Sequence, residues 1–451
     1  MSTSLRLSNN NLRALHKGVA APAYDRARVE TGIVHFGPGA FFRAHVAWYV
    51  DQLLARDPRW GIAAVSLRTG GLARALAEQD FLYTLAEIDA EPRYRVIGAL
   101  REYLVASEEP DEVFERLVRP SVRLVTITAT EKGYCLDGEG ALDLAHPDIA
   151  FDLAGPDVPR SLVGWLVEGL KRRRAAGTTP CAVLSCDNLL GNGPKLRAAV
   201  KRFAEARGER DLTAWLEHSV PFPATMVDSI TPFSDDALKA AVERATGLRD
   251  EAPVRREPFT QWVIEDVLPP GAPDLASAGA TLTKDVADYE RAKLRLLNGA
   301  HSALAYLGLA AGHTTIFDCM NDAPVARFVE SMMRQETAKT LNGGLDIPHY
   351  IAQLLARLRN PAIGHRLVQI AADGSMKLPY RCLEPIADLR AANASCERLL
   401  IVAAGWMRFV VNETRAGRTL SDPRAQELAE IGKAARDAES DVGLFLALDN
   451  V

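Results

Sequence analysis

The sequence has few of the residues from which metal sites and disulfide frameworks are built. Its six cysteines are scattered through 451 residues, and no two of them have the C-x-x-C spacing of a structural zinc site. None of the nine histidines lies in an H-E-x-x-H motif, so a zincin site is not expected. We therefore expect neither a metal cofactor nor a disulfide framework.

Excess positive charge and long apolar runs are also lacking. The formal net charge is −5, which argues against a nucleic-acid-binding protein. No apolar stretch reaches the length of a membrane span, and the first eleven residues lack the apolar segment of a secretory signal. We therefore expect a cytoplasmic globular protein without nucleic-acid or membrane partners. We also expect a monomer or a small homo-oligomer.

Short β-rich runs alternate with helical runs up to about residue 283. This alternation predicts an α/β fold with a mostly parallel, Rossmann-like sheet covered by helices. Strands are predicted at 32–36, 60–67, 122–129 and 180–185, and helices at 41–55, 72–78, 159–176 and 195–207. After residue 284 strand signals almost disappear, and helices are predicted at 285–310, 322–335, 347–359, 382–413 and 423–437. We predict a dinucleotide-binding domain over residues 1–283 and a helical substrate-binding and catalytic domain over residues 284–451.

The segment Gly37-Pro-Gly39 lies where the first predicted strand turns into the first predicted helix. Glycines at such a turn allow a pyrophosphate to approach the backbone. Arg43, one turn into the helix, could add a charge-assisted contact. Position 42 is Phe rather than the third glycine of G-x-G-x-x-G, so an ordinary strand–turn–helix is an equally good interpretation. The second strand is followed by Arg68 instead of an acid, which leaves NADP open beside NAD.

A lysine, an asparagine and a histidine lie within an apolar helical run at Lys293, Asn298 and His301. At about 100° per residue, Lys293 and His301 share a narrow arc with Leu297 and Leu304. A lysine held in a cleft with a lowered pKa can exchange a proton near neutral pH. The alternative is a solvated helix lysine and a core histidine with satisfied hydrogen bonds.

Together the motifs resemble the polyol-specific long-chain dehydrogenases, the mannitol dehydrogenase family. They follow the family order from about residue 33 to residue 410. They are G-x-G-A-F-x-R-A-H from Gly37, Q-D-F-L-Y-T-L from Gln79, T-A-T-E-K-G-Y-C from Thr128, S-C-D-N ending at Asn188, M-V-D ending at Asp228, E-P-F-x-Q-W-V-I-E-D from Glu257, K-x4-N-x2-H from Lys293, D-G-S-x-K-x-P from Asp373 and A-G-W-M from Ala404.

The resemblance implies a role for each matching residue. Lys293 is expected to be the acid/base, and Asn188 and Asn298 are expected to donate hydrogen bonds to the developing alkoxide. His301 is expected to orient the substrate hydroxyl, and Asp228 to contribute to substrate binding. The expected cofactor is NAD, contacted by Phe36, Gly37, Pro38, Gly39, Ala40, Phe41, Arg43, Arg68, Thr130 and Glu131.

Several details resemble the fructuronate reductase branch of the family, among them Arg295-Leu-Leu-Asn-Gly and Lys377-Leu-Pro-Tyr-Arg381. A uronate carboxylate needs a cationic partner, for which Arg381 with Lys377 is the candidate; a structural arginine is the alternative. Phe42 and Ser229 depart from the histidine and arginine expected there. The family resemblance therefore predicts a fructuronate/mannonate oxidoreductase. Mannitol 2-dehydrogenase, another polyol or tagaturonate dehydrogenase, and a non-catalytic sugar- or nucleotide-binding protein are the alternatives.

Overall fold

A computed structural model of the chain describes residues 4–341, 343–436 and 438–448, with residues 438–441 described by their backbone alone. The chain divides into two compact units, Met1–Val286 and Ala287–Val451. The predicted boundary lies three residues before this division, and the roles of the two domains stay predictions. Within the described residues, no helix combines the length and the apolar character that crossing a bilayer requires.

The first unit is built on strands. They are β1 Thr31–Phe36, β2 Gly61–Ser66, β3 Tyr83–Glu87, β4 Arg93–Ile97, β5 Leu100–Val105, β6 Leu124–Ile127, β7 Ala182–Ser185, β8 Thr225–Asp228, β9 Val254–Arg256, β10 Gln261–Glu265 and β11 Thr281–Thr283. Five of them form a sheet in the order β5-β2-β1-β6-β7, and each neighbouring pair is parallel. Almost every residue of β1, β2, β6 and β7 is buried, as in sheets covered on both faces.

The strand order reverses beside β1, which pairs with β2 on one side and with β6 on the other. In open α/β sheets, ligands bind at the carboxyl ends of the strands at such a switch point. Two three-stranded sheets, β11-β10-β8 and β4-β3-β9, complete the unit. The prediction of an α/β fold with a mostly parallel sheet is confirmed.

The helices of the first unit are α1 Ala40–Ala44, α2 Val46–Leu54, α3 Ala73–Ala77, α4 Pro110–Val118, α5 Pro147–Leu153, α6 Leu162–Ala175, α7 Asn192–Ala206, α8 Arg210–Ser219 and α9 Asp236–Thr246, and α10 Val286–Ala292 begins at its last residue. The single helix predicted over residues 41–55 is interrupted at His45, where φ is −117° and ψ is −84°. The His45 ring stacks on Phe41 and lies 2.9 Å from the Gln261 carbonyl oxygen. Contacts from distant strands therefore break the helix there.

The regular elements in the described part of the second unit are helices. Its α-helices are α11 Gly299–Ala310, α12 Ile316–Asn321, α13 Ala323–Gln335, α14 Ile347–Leu358, α15 Leu367–Ala371, α16 Gly374–Leu378, α17 Glu384–Ala391, α18 Glu397–Arg415, α19 Ala425–Ala434 and α20 Ala438–Leu446. Two π-helical segments, Lys293–Asn298 and Pro379–Leu383, interrupt them.

Two predicted helices of this unit are wrong in detail. The helix predicted over 285–310 contains the π-helical segment at residues 293–298 between α10 and α11. The helix predicted over 382–413 is two helices, because Asn393 adopts a left-handed conformation with φ +52° between α17 and α18. Residue 437, the last of the helix predicted over 423–437, lies outside the described residues.

Candidate active site

The turn after β1 requires glycine at position 37. Gly37 has φ +88°, a region that L side chains rarely adopt. A Cβ there would lie 2.1 Å from the carbonyl oxygen of Thr128. The Gly37 N–H donates to the Val65 carbonyl at 3.0 Å, and the Gly39 N–H donates to the Gly37 carbonyl at 2.7 Å. These contacts fix the turn against the carboxyl ends of β2 and β6.

His35, a buried residue of β1, supports this turn. Its Nδ1 lies 2.8 Å from Thr126 Oγ1, and its Nε2 lies 3.0 Å from Thr128 Oγ1. Because the Thr128 hydroxyl donates to the Gly37 carbonyl at 2.7 Å, it accepts from the His35 Nε2–H. Burial lowers the pKa of His35 from 6.5 to about 3, so the ring is neutral at pH 7. The sequence analysis missed this residue, whose signal is a histidine inside an apolar strand just before the glycine turn.

A cleft of about 890 Å³ opens beside the turn. The ends of β1, β2 and β6 form part of its wall, and residues from the start of α5 form another part. Six of the predicted cofactor residues line the cleft, namely Phe36, Gly37, Pro38, Gly39, Arg68 and Thr130. The predicted residues Ala40, Phe41, Arg43 and Glu131 are not among the lining residues.

The prediction for Arg43 needs correction. Its side chain is only 4% exposed, and its guanidinium donates to the Ala252 carbonyl and lies 5.6 Å from the centre of the Tyr83 ring. The structure thus uses Arg43 to join α1 to distant segments of the unit instead of placing it in the cleft. Phe42, which departs from the family pattern, stacks on His35 with 3.6 Å between the ring centroids.

The residues present fit a dinucleotide. Gly39 has φ −74°, and the nearest atom to a Cβ built there is 3.9 Å away. The fold itself therefore does not require glycine at position 39, whereas close approach of a pyrophosphate does. The cationic residues Arg68, Lys132 and Arg160 also line the cleft.

Asp187, which immediately follows Cys186 after β7, holds the loop after β6. Its carboxylate accepts hydrogen bonds from the Ala129 N–H at 2.9 Å and the Thr130 N–H at 3.0 Å. The Tyr134 hydroxyl donates to it at 2.6 Å. Thr130 has φ +62°, a conformation that a non-glycine residue keeps only when its surroundings enforce it. Burial raises the pKa of Asp187. The sequence analysis listed this acid in a motif without giving it a role.

Asn188 and Asp228 are the two predicted substrate-side residues of the first unit. Asn188 follows Asp187 and is exposed. Asp228 ends β8, where it is 5% exposed and lies opposite Gln261 in the ladder. The hydroxyl of the neighbouring Ser229 donates to the Phe259 carbonyl at 3.1 Å, so this departure is accommodated by the backbone. The roles of Asn188 and Asp228 stay predictions.

In the second unit, Lys293 and Asn298 are the first and last residues of a π-helical segment. One π-turn brings residues five apart onto the same face, and such segments are frequent at functional sites. Lys293, Asn298 and His301 are half-buried, whereas Leu297 and Leu304 are buried. The predicted arc of Lys293 and His301 with these leucines assumed an uninterrupted α-helix, and it stays a prediction.

The structure also brings Arg381 to this segment, and Lys377 lies near Arg381. The Arg381 guanidinium donates to the Asn298 carbonyl at 3.4 Å and to Ser302 Oγ at 3.2 Å. Burial lowers the pKa of Arg381 to about 10. Burial and the charge of Arg381 together lower the pKa of Lys377, whose ammonium donates to the Ala372 carbonyl at 2.6 Å.

His365 lies near Lys377, which together with Arg381 we define as the cationic cluster. Its ring centroid lies 5.5 Å from that of His301 in an edge-to-face arrangement. Burial, and then the charge of Lys377, lowers the pKa of His365. The sequence analysis missed His365, since nothing in its local pattern places it beside the helix of Lys293.

All six cysteines are buried free thiols. Among the described residues, no three His, Cys, Asp or Glu side chains are arranged as a metal site.

Comparisons with known proteins identify the family of the chain. The family model of the mannitol dehydrogenase Rossmann domain matches residues 31–277, and that of the mannitol dehydrogenase C-terminal domain matches residues 285–451. The D-mannonate oxidoreductase of Escherichia coli (strain K12) is 40% identical over 93% of this chain and 89% of that protein.

Solved structures extend the likeness to the whole fold. A D-sorbitol dehydrogenase in substrate-free form has a TM-score of 0.91 at 33% identity, covering 98% of this chain and 95% of that one. The Pseudomonas fluorescens mannitol 2-dehydrogenase, in a ternary complex with NAD and D-mannitol, has a TM-score of 0.82 at 34% identity, covering 99% and 92% of the two chains. Since both family models match and the fold agrees over nearly all of its length, the chain belongs to the mannitol dehydrogenase family of oxidoreductases.

Proposed function

We propose that the protein is an NAD-dependent oxidoreductase that interconverts D-fructuronate and D-mannonate. The observation that carries the proposal is the cationic cluster, in which Arg381 contacts the segment of Lys293 and Lys377 lies near Arg381. The 40% identity to a D-mannonate oxidoreductase supports the same substrate pair.

The cluster suits an anionic substrate for electrostatic reasons. Burial disfavours the charged form of a cation, and so does a second cation nearby. Both effects act on Lys377. An incoming carboxylate would relieve both, because it accepts charge-assisted hydrogen bonds and offsets the repulsion between Lys377 and Arg381. A neutral polyol brings no charge and gains less from this cluster.

NAD would supply the hydride chemistry when bound, and the chain supplies binding, orientation and proton transfer. In oxidation, the Lys293 amine takes the proton of the reacting hydroxyl, and in reduction it returns a proton to the carbonyl oxygen. The side-chain amides of Asn298 and Asn188 donate hydrogen bonds to the charge that develops on that oxygen. His301 orients the hydroxyl, and Arg381 with Lys377 holds the substrate carboxylate.

The alternative is a polyol dehydrogenase of the same family that interconverts mannitol and fructose. The 34% identity to a mannitol 2-dehydrogenase solved with NAD and D-mannitol favours it.

A substrate panel distinguishes the two functions. We expect the purified protein to oxidise NADH with fructuronate at a kcat/KM at least about tenfold above that with fructose, since one charge-assisted hydrogen bond contributes about 1.5–3 kcal/mol. The reverse reaction should prefer mannonate over mannitol. A preference for fructose and mannitol would assign the polyol function instead.

The variant Arg381→Gln tests the role of the cluster. Its KM for fructuronate should rise by about 10–100-fold, with a much smaller effect on residual fructose reduction, because only the uronate carries the carboxylate. Arg390→Gln, a substitution at an exposed residue of α17, is the matched control and should leave both substrates unaffected. Equal losses of activity with both substrates in Arg381→Gln would indicate that Arg381 has a structural role and does not bind the carboxylate.

The variant Lys293→Ala tests the acid/base assignment. Turnover should fall by about a hundredfold or more, the usual contribution of a general acid/base, while NADH affinity measured by tryptophan fluorescence stays close to that of the unaltered protein. Lys339→Ala, at an exposed lysine of the same unit, is the control. Normal turnover in Lys293→Ala would remove this lysine from the mechanism.

A further inference from the structure

An ion pair lies where the adenosine ribose of a dinucleotide is expected. In doubly wound sheets the loop after the second strand reaches this ribose, usually with an acid that binds its hydroxyls. Here β2 ends at Ser66, and Arg68 follows it without an acid. The Arg68 guanidinium instead pairs with Asp148 at 2.5 Å. Both residues line the cleft beside the glycine turn.

Asp148 belongs to a different element from the one that usually supplies this acid. It is the second residue of α5, and its backbone N–H donates to His146 Nδ1 at 3.3 Å. Its side chain is 21% exposed, whereas that of Arg68 is 72% exposed. The carboxylate therefore has the more fixed position, and the long arginine side chain reaches over to it.

Asp148 changes the balance of charges that a 2′-phosphate would meet in the cleft. Of the charged residues that line the cleft in the described part of the chain, Arg68, Lys132 and Arg160 are cationic and Asp148 is acidic. The three cations alone would attract the additional phosphate of NADP(H). Asp148 opposes this in two ways, because it repels a dianion and occupies the guanidinium that would otherwise bind it.

We propose that Asp148, with Arg68, selects NAD(H) over NADP(H) by accepting a hydrogen bond from the ribose 2′-hydroxyl and excluding a 2′-phosphate. This proposal rests on the dinucleotide cleft of the proposed function. It assigns cofactor choice to a residue about eighty positions from the β2 loop. It also reverses the role that the sequence suggests for Arg68, since the arginine holds the selecting carboxylate instead of binding the phosphate.

Binding of ADP-ribose and 2′-phospho-ADP-ribose to the full-length protein, measured by isothermal titration calorimetry, tests the proposal without turnover. The unaltered protein should bind ADP-ribose at least about tenfold more tightly than its 2′-phosphorylated form, because Asp148 accepts a hydrogen bond from the 2′-hydroxyl and repels a 2′-phosphate. Asp148→Asn should raise the affinity for 2′-phospho-ADP-ribose by about tenfold or more and weaken ADP-ribose binding severalfold. Adding Arg68→Gln to Asp148→Asn should abolish the gain.

Asp157→Asn, at an exposed residue that follows α5, removes the same charge and should change neither affinity. Asp148→Ser, which keeps a polar residue suited to a first helical turn, should repeat the result of Asp148→Asn if the latter is poorly folded. An unchanged ratio of the two affinities in both Asp148 variants would overturn the role of Asp148 and leave the proposed function standing. Failure of the unaltered protein to bind either fragment would overturn the dinucleotide cleft, and the proposed function with it.

Discussion

The two glycines of the β1 turn should respond in opposite ways to the same substitution. In Gly37→Ala, the added Cβ meets the Thr128 carbonyl oxygen at 2.1 Å with φ at +88°. A left-handed conformation costs an L residue about 1–2 kcal/mol, and relieving an overlap in a packed region costs about 1–3 kcal/mol more. We therefore expect a loss of about 2–5 kcal/mol in unfolding free energy, which lowers Tm by several degrees.

Gly39→Ala should instead leave the fold intact. Its φ of −74° is open to any residue, and the nearest atom to the new Cβ lies 3.9 Å away. The free energy of unfolding should stay the same or rise by about 0.4–1 kcal/mol, because alanine restricts the unfolded chain. NADH affinity should fall by about tenfold or more, since the methyl group occupies space into which the pyrophosphate would approach.

Differential scanning fluorimetry and NADH titration of the same preparations measure both effects. Gly138→Ala is the control, because a Cβ there has no neighbour within 4 Å and the residue does not line the cleft. A Gly37→Ala protein with unchanged Tm would refute the steric argument. A Gly39→Ala protein with normal NADH affinity would refute the placement of the pyrophosphate at this turn.

Two further predictions concern the supports of the cleft. Since burial holds the pKa of His35 at about 3 against 6.5 in the unfolded chain, its stabilising effect is fully present above pH 6.5 and is lost as pH falls towards 3. Urea unfolding should therefore lose about 2 kcal/mol between pH 7 and pH 5 from this residue, and His35→Gln should flatten that slope; an equally steep slope in the variant would contradict this. Tyr134→Phe removes the hydroxyl that donates a hydrogen bond to Asp187. The variant should lose about 1–2 kcal/mol of unfolding free energy and bind NADH severalfold more weakly. Unchanged urea melts and NADH titrations would contradict the role of Asp187 in holding the loop.

The elements that could be predicted from the sequence are those whose signal is local. Alternating β and α runs indicated the parallel sheet, and Gly37 indicated the tight turn before α1. The π-helical segment at Lys293 could not be predicted, because a single wider turn leaves the apolar pattern of the flanking residues intact. The predicted face of Lys293 rested on a regular α-helical period, which this segment does not have.

The errors and omissions at the candidate site share a different cause. Arg43 has the sequence position of a phosphate ligand, yet Tyr83 and Ala252 bind it from far along the chain. Conversely, the local sequence predicts no role for Asp148, or for Asp187 within the S-C-D-N motif. These acids contact Arg68 and Thr130 only after the unit has folded. Which polar group faces the cleft is decided by such long-range contacts, and a spacing rule does not contain them.

The cationic cluster connects these observations to substrate choice. Burial and the charge of Arg381 disfavour the charged form of half-buried Lys377, and Asp373, 3.6 Å from its ammonium, offsets this in part. Proteins tolerate such local destabilisation mainly at sites where a ligand or a reaction uses it. Arg381 also donates to the carbonyl of Asn298, near whose side chain the resemblance places the reacting oxygen. A substrate carboxylate bound by Arg381 and Lys377 would add to the compensation that Asp373 already gives Lys377, whereas a neutral polyol would add none.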